Sequence, residues 1–275
     1  MAPFPPGSLT VVGSGIKTGL QTIPEAIRCI QRADKVLYLF AEPVSARWVS
    51  KLNPSAQSLE RFYSPSKDRT QTYQEMVEEI LSWVRRGLDV CVVLYGHPGV
   101  FVAPSDAAIQ QAREEGFRAR MLPGVSAEDC LFADLGVDPG ARGCQSFEAT
   151  NFLLYRRSFD TSTPLLLWQV AGVGVRQGVT QPSTAGLQVL AEFLHDHYGP
   201  DHEVVLYQAS PYPVFDPIVQ KVRLRDLPTA DLTPMCTLYV PPKEHPPPNP
   251  EMYARLEVPA RPHAPPLTAR AWTGR

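Results

Sequence analysis

One stretch restricts the fold of this chain more than any other: Val90-Cys91-Val92-Val93-Leu94-Tyr95-Gly96-His97-Pro98-Gly99-Val100-Phe101-Val102. Its first half is a continuous apolar run of strand length. A run without polar alternation suits a strand covered on both faces, as in a parallel sheet flanked by helices. Its second half is stiff at Pro98 and permissive at Gly96 and Gly99. Open α/β sheets bind ligands beyond the carboxyl ends of their strands, so this junction marks the expected active-site edge.

The rest of the chain supplies the layers. Leu9–Val12 reads as a strand ending in Gly13-Ser14-Gly15, and Thr22-Ile23-Pro24-Glu25 as the capping-box start of a helix. Lys35–Phe40 reads as a strand. Thr70–Arg86 is a helix with Tyr73, Met76, Val77, Ile80, Leu81 and Val84 on one stripe, stopped by Gly87. Helices over Ser105–Glu115 and Ser126–Leu135 flank a strand over Phe117–Leu122. Strands alternating with helices imply βαβ units. Beyond this the pattern is richer in strands: Leu165–Val170, Glu203–Tyr207, Val219–Arg223 and Cys236–Val240, with one helix over Thr184–Tyr198. The expected organisation is an N-terminal parallel α/β domain over 1–123 and a C-terminal mixed α/β domain over 124–242. A proline-rich tail over 243–275 follows, read as extended.

Composition removes several function classes. The 275 residues are 44% hydrophobic and 20% charged, a globular balance. A net charge of −2 gives no electrostatic attraction to nucleic acid or anionic membrane. No apolar run approaches a membrane span, and Met1–Gly7 has no signal-like pattern, so a cytoplasmic protein is expected. Five scattered cysteines without CxxC spacing read as reduced thiols. His97 has no neighbouring ligand, and His195 and His197 point to different helix faces, so no metal is expected.

Three loops in order resemble the tetrapyrrole methylase superfamily: Val12-Gly13-Ser14-Gly15, Gly96-His97-Pro98-Gly99-Val100-Phe101, and Pro123-Gly124-Val125-Ser126-Ala127 with its helix ending at Leu135-Gly136. The resemblance implies two α/β domains, a cofactor cleft between them, S-adenosylmethionine as methyl donor, and a homodimer. Tyr95–Val102, the run Ala119–Leu135, Phe147-Glu148-Ala149 and Leu167-Trp168-Gln169 are most similar to the borosin peptide α-N-methyltransferases. Those enzymes methylate backbone amides of a ribosomal precursor peptide. By this resemblance Tyr95, His97, Val100, Phe101, Ser126, Ala127, Gln169, Ala209, Thr237 and Leu238 contact the cofactor.

A peptide nitrogen is a poor nucleophile because its lone pair is delocalised into the carbonyl. Its methylation calls for a proton acceptor at nitrogen and a donor or cation at oxygen. The resemblance gives Arg69 the oxygen and the lowering of a tyrosine pKa, Tyr73 or Tyr63 the proton, and Tyr95 the orientation of the amide. The residues also admit a plainer reading, in which Arg69 and Tyr73 are a helix-surface pair and Tyr73 is core. Some borosin enzymes carry their substrate as a C-terminal run rich in Val, Ile and Gly. Residues 241–275 are instead rich in proline, so a separate precursor peptide is the expected partner. The alternatives are a small-molecule or tetrapyrrole methyltransferase of the same fold, and a non-catalytic module that keeps the cofactor pocket.

Overall fold

The computed structural model describes residues 6–40, 42–64, 67–175, 181–244, 246 and 248–258. Two compact units emerge. The first runs to Cys130 and takes in Ala209–Asp216; the second comprises Leu131–Val175, the stretch ending at Gln208, and the chain from Pro217.

In the first unit, β1 (Ser8–Gly13), α1 (Pro24–Arg32), β2 (Lys35–Leu39), α2 (Pro43–Leu52), β3 (Gln57–Ser58), α3 (Arg69–Arg85), β4 (Asp89–Leu94), α4 (Ala103–Glu114) and β5 (Arg118–Leu122) alternate. The chain then enters α5 (Ala127–Leu135), within which the two units divide. The sheet has the order β3-β2-β4-β1-β5, and all of its pairings are parallel. Val90–Leu94 is buried throughout, as its unbroken apolar run requires. One sheet face packs Leu9, Val11, Val90, Val92 and Leu94 against Met76, Val77, Ile80, Leu81 and Val84 of α3 and Ala108, Ile109 and Ala112 of α4. The other packs Val12, Val36, Cys91 and Val93 against Ala26 and Ile30 of α1 and Val49 of α2. Each fully buried Val or Leu contributes about 1.5–3 kcal/mol, which is why the apolar period sets these helices.

The helix starts show where local chemistry overrides pattern. Asp68 caps α3 by accepting from the Thr70 N–H at 2.7 Å. Thr22 does not cap α1. Ile23 holds that position, and the Thr22 hydroxyl donates instead to the Ser14 carbonyl at 2.6 Å. The would-be cap ties the glycine loop down. Helix α2 escapes the sequence pattern because its start is a Glu42 cap rather than an apolar stripe; Glu42 accepts from the Val44 and Ser45 N–H groups.

The second unit holds α6 (Pro139–Arg142), β6 (Gln145–Glu148), α7 (Ala149–Leu154), β7 (Leu165–Trp168), α8 (Thr184–Tyr198), β8 (Glu203–Gln208), β9 (Ile218–Arg223), β10 (Thr237–Val240) and α9 (Pro250–Arg255). Its sheet, β6-β7-β10-β8-β9, is mixed: β6 and β7 are parallel and the remaining pairs antiparallel. Leu187, Leu190, Ala191, Leu194 and Tyr198 of α8 close its core. Ser183 caps α8, and Gly199 at φ 89° stops it. The expected extended tail is broken by α9, whose cap Asn249 accepts from the Met252 N–H at 3.2 Å; Pro250 occupies the first turn, where a missing N–H costs nothing. The tail beyond Val258 lies outside the described residues.

Candidate active site

The carboxyl ends of β1, β4 and β5 meet in a cluster of glycines. A Cβ on Gly13 would strike the Gly96 carbonyl and come within 2.8 Å of Gly124 Cα and Pro98 Cδ. A Cβ on Gly124 would strike the same carbonyl. Gly15 and Gly96 exchange backbone hydrogen bonds at 3.2 and 3.1 Å, and the Ser14 N–H donates to the Leu94 carbonyl at 2.8 Å. Gly96 sits at φ 67°, a conformation glycine adopts without strain. Three strand-end loops therefore pack backbone on backbone, at the sheet edge where α/β folds bind ligands.

His97, Val100, Phe101, Ser126 and Ala127 surround this cluster. His97 Nδ1 accepts from the Gly99 N–H at 3.0 Å, which leaves Nε2 as the free ring position. Phe101 is held at φ 57°, costly for a residue with a side chain, and is 44% exposed. Ser126 is committed locally: its hydroxyl donates to Asp129 Oδ2 at 2.8 Å and accepts from the Asp129 N–H at 3.1 Å. That is a capping box at the start of α5. It settles Asp129 as a capping group, and since the Ser126 carbonyl accepts from the Cys130 N–H at 3.2 Å, Ser126 contributes its position rather than a free hydroxyl.

The structure brings Tyr63, Arg69 and Tyr73 together. Arg69 opens α3 and Tyr73 stands one turn on, on the same face. Tyr63, in the segment leading to α3, lies close enough to Tyr73 and Arg69 for both side chains to act on its hydroxyl. Burial of its hydroxyl pushes the Tyr63 pKa up to about 12; the Tyr73 contact adds to this, and Arg69 pulls the other way. The arginine thus acts in the direction required for a phenolate, but desolvation outweighs it. Tyr63 as a whole is still 44% exposed. Beside Tyr73 a groove of about 620 Å³ opens between α3 and α4, lined by Gln74, Val77 and Glu78 on one side and Ala103, Ala107 and Gln111 on the other.

Tyr95 stands apart from that trio. It packs with Cys91 and Val93 on the α1–α2 face of the sheet, whereas Tyr73 packs on the α3–α4 face. Burial raises its pKa to about 12 as well, helped by Cys130 and Glu42.

The match to the family model of the Tetrapyrrole (Corrin/Porphyrin) Methylases runs over residues 8–221. The chain belongs to this family. Among relatives, it is 42% identical over 257 residues to a methyltransferase and ribosomally synthesized cyclic peptide gymnopeptides precursor of Gymnopus fusipes, covering 92% of this chain and 61% of that protein. It is 40% identical over 257 residues to the corresponding omphalotin A precursor protein of Omphalotus olearius, covering 92% and 62%. The chain spans about three fifths of the length of these curated relatives. Uroporphyrin-III-C-methyltransferase of Thermus thermophilus shares its fold at a TM-score of 0.62 and 20% identity, over 91% of this chain and 96% of that one. The methyltransferase CobJ does so at 0.55 and 19%, over 86% and 94%.

In the second unit of this methylase-family chain, Gln169 and Thr237 lie at one end of the sheet, while Ala209 is the residue with which the chain re-enters the first unit. Gln169 follows β7 directly and is held at φ 55°, a strained left-handed conformation for a side-chain-bearing residue. Thr237 opens β10 opposite Tyr207 and is 3% exposed. Ala209 follows β8. Leu238 differs: its side chain is fully buried in the core with Leu167 and Leu206, so only its backbone can reach a ligand. Two residues escaped the sequence reading. Glu42, the α2 cap, acts on Tyr95 and accepts from the Tyr212 hydroxyl at 3.4 Å. The one available signal was the Glu42-Pro43 start, a cap before a first-turn proline. Tyr212 had none, since it lies 170 positions from its partner. Among the described residues no helix is long and apolar enough to cross a membrane, and no group of acidic, histidine or cysteine side chains could hold a metal.

Proposed function

We propose that this protein methylates backbone amide nitrogens of a peptide, with S-adenosylmethionine as methyl donor. The observation that carries the reading is the grouping of Tyr63 and Tyr73 beside Arg69. Two phenols and a permanent cation are the proton acceptor and oxygen-side charge that a reluctant amide needs. The relatives' names, which join a methyltransferase to a ribosomal cyclic peptide precursor, support the same substrate class.

S-adenosylmethionine supplies an electrophilic methyl group on sulfur. The close-packed glycine loops fit such a donor, because backbone rather than side chains forms the rim there. His97, Val100, Phe101, Ser126, Ala127, Gln169, Ala209, Thr237 and the Leu238 backbone are the residues we assign to holding it. Arg69 stabilises the charge that builds on the amide oxygen. Tyr73 or Tyr63 takes the nitrogen proton. Tyr95 orients the amide. Excluding water from this edge strengthens each of these contacts. The groove beside Tyr73 gives room for residues flanking the one methylated.

We propose a ribosomal precursor peptide as the substrate class, and the test offers such a peptide as a separate molecule. By the family resemblance the enzyme works as a cytoplasmic homodimer. The test incubates the full chain with S-adenosylmethionine and a synthetic peptide of Val, Ile and Gly, and sequences the product by tandem mass spectrometry. Mass gains of one methylene on successive backbone amides support the reading. Gains confined to side chains, or methylation of a porphyrin-type substrate alone, overturn it. Sedimentation of the same preparation reads the oligomeric state.

A further inference from the structure

At the opposite, amino end of the first sheet lies a second cavity of about 290 Å³, between the start of β1 and β4 and helix α1. It belongs to none of the chemistry above. Two thiols line it, Cys29 on α1 and Cys91 on β4. Cys29 is half-buried, and its sulfur accepts from Arg120 Nη2 at 3.5 Å. Arg120 also pairs with Glu25 at 3.0 Å. Cys91 is 1% exposed, and among the described residues its thiol has no hydrogen-bond partner. Arg28 and Arg32 complete the rim, and neither pairs with a carboxylate among the described residues. Three guanidinium groups thus face two carboxylates, Glu25 and Asp89.

The geometry points to Cys29 as a modification site for a small anionic disulfide of the glutathione class. The attacking species is the thiolate, and a guanidinium at hydrogen-bond distance is its natural counter-charge. Cys29 sulfur attacks one sulfur of the disulfide. The old S–S bond breaks, a new one forms to Cys29, and the second half leaves as a thiolate that takes up a proton. No electrons are gained or lost overall. Arg28 and Arg32 meet the carboxylates of the half that stays. The buried Cys91 thiol, an S–H without an acceptor, offers it a weak donor from the cavity floor. Burial pushes the Cys91 pKa up, so Cys91 stays protonated.

The experiment treats the reduced full chain with glutathione disulfide, quenches at intervals and maps adducts by peptide mass spectrometry. Cys144, also half-buried, is the internal control. Cys29 is expected to react about tenfold faster than Cys144, roughly the effect of 1.4 kcal/mol. Replacing the reagent by neutral 2-hydroxyethyl disulfide removes most of that preference. Arg120→Ala, and separately Arg32→Ala on the exposed rim, each lower the Cys29 rate several-fold while the Cys144 rate holds. Equal rates at Cys29 and Cys144, or a preference that survives with the neutral reagent, overturn the proposal. Circular dichroism of each variant establishes that it is folded, and Arg32→Ala stands as the test if Arg120→Ala does not fold.

Discussion

Tyr63 and Tyr95 carry the same group near the same sheet edge, yet their surroundings oppose one another. Burial lifts both phenols to about 12. At Tyr63 a cation, Arg69, works against that rise. At Tyr95 a carboxylate, Glu42, and a thiol, Cys130, work with it. The contrast separates two jobs. A proton acceptor gains from a neighbouring cation, because the cation stabilises its ionised form. A positioning group gains from staying neutral and donating its hydrogen. On the function proposed above, the Tyr63–Arg69–Tyr73 side would move the proton and the Tyr95 side would hold one in place.

The sharpest way to break this comparison is Arg69→Ala. Methylation of the Val/Ile/Gly peptide is expected to fall about 100-fold or more, the usual effect of removing a charge aimed at a developing oxyanion. Donor binding, read by calorimetry, is expected to hold. Arg69→Lys is expected to restore little, since an ammonium lacks the planar fork. A loss of donor affinity in Arg69→Ala would recast the residue as structural. Tyr95→Phe belongs to the same experiment as its contrast and is expected to cost less, because that phenol only orients. The pH dependence has a definite sign. With Tyr63 at about 12, activity that needs its phenolate rises with pH through the alkaline range, and Arg69→Ala moves that rise higher still.

The glycine loops beside Tyr95 give the next test. Gly13→Ala drives a Cβ into the Gly96 carbonyl. Neither Gly96 nor Gly124 has a side chain to move away, so the strain goes into backbone. The expected destabilisation is about 1–3 kcal/mol, read as a lowered melting temperature. Gly116→Ala is the control: at φ 86° it carries backbone strain but meets no atom within 4 Å. Its cost is expected to be about 1 kcal/mol. Equal melting temperatures for the two variants would show that the loops can part.

How far such contrasts can be read from sequence depends on their range. The parallel sheet was legible at Val90–Leu94, because full burial writes itself as an unbroken apolar run. Arg69 and Tyr73 were legible as a pair, because four residues on a helix share a face whatever the fold. Helix α8 was legible over its length, because the stripe of Leu187, Leu190, Leu194 and Tyr198 and the stop at Gly199 agree. Other features were not. Thr22 looks like a cap from its neighbours alone, and only the arrival of Ser14 reassigns it. Glu42 beside Tyr95 joins elements more than fifty positions apart, a distance over which local pattern carries nothing. The sequence positions of Tyr63 and Tyr95 say that both are aromatic; that one meets a cation and the other an anion is a property of packing alone.

The smallest expected effect tests that packing directly through alkaline unfolding. An unfolded tyrosine ionises near 10, whereas Tyr95 in the fold does so near 12. Its folded pKa is raised, so the stability it contributes is fully present below pH 10 and is lost as pH climbs through 12. Tyr95→Phe has no proton to lose. Its urea midpoint is expected to decline less steeply over that window than the parent's, by about 1 kcal/mol at most once solvent screening is discounted. Glu42→Gln removes the neighbouring charge but keeps the phenol, and its decline should fall between the two. The same substitution at the exposed ring, Tyr63→Phe, should change the slope less, because Tyr63 is 44% exposed and solvent screens more of its shift. Equal slopes for Tyr63→Phe and Tyr95→Phe would mean that the Tyr63 hydroxyl is as fully desolvated in solution as that of Tyr95.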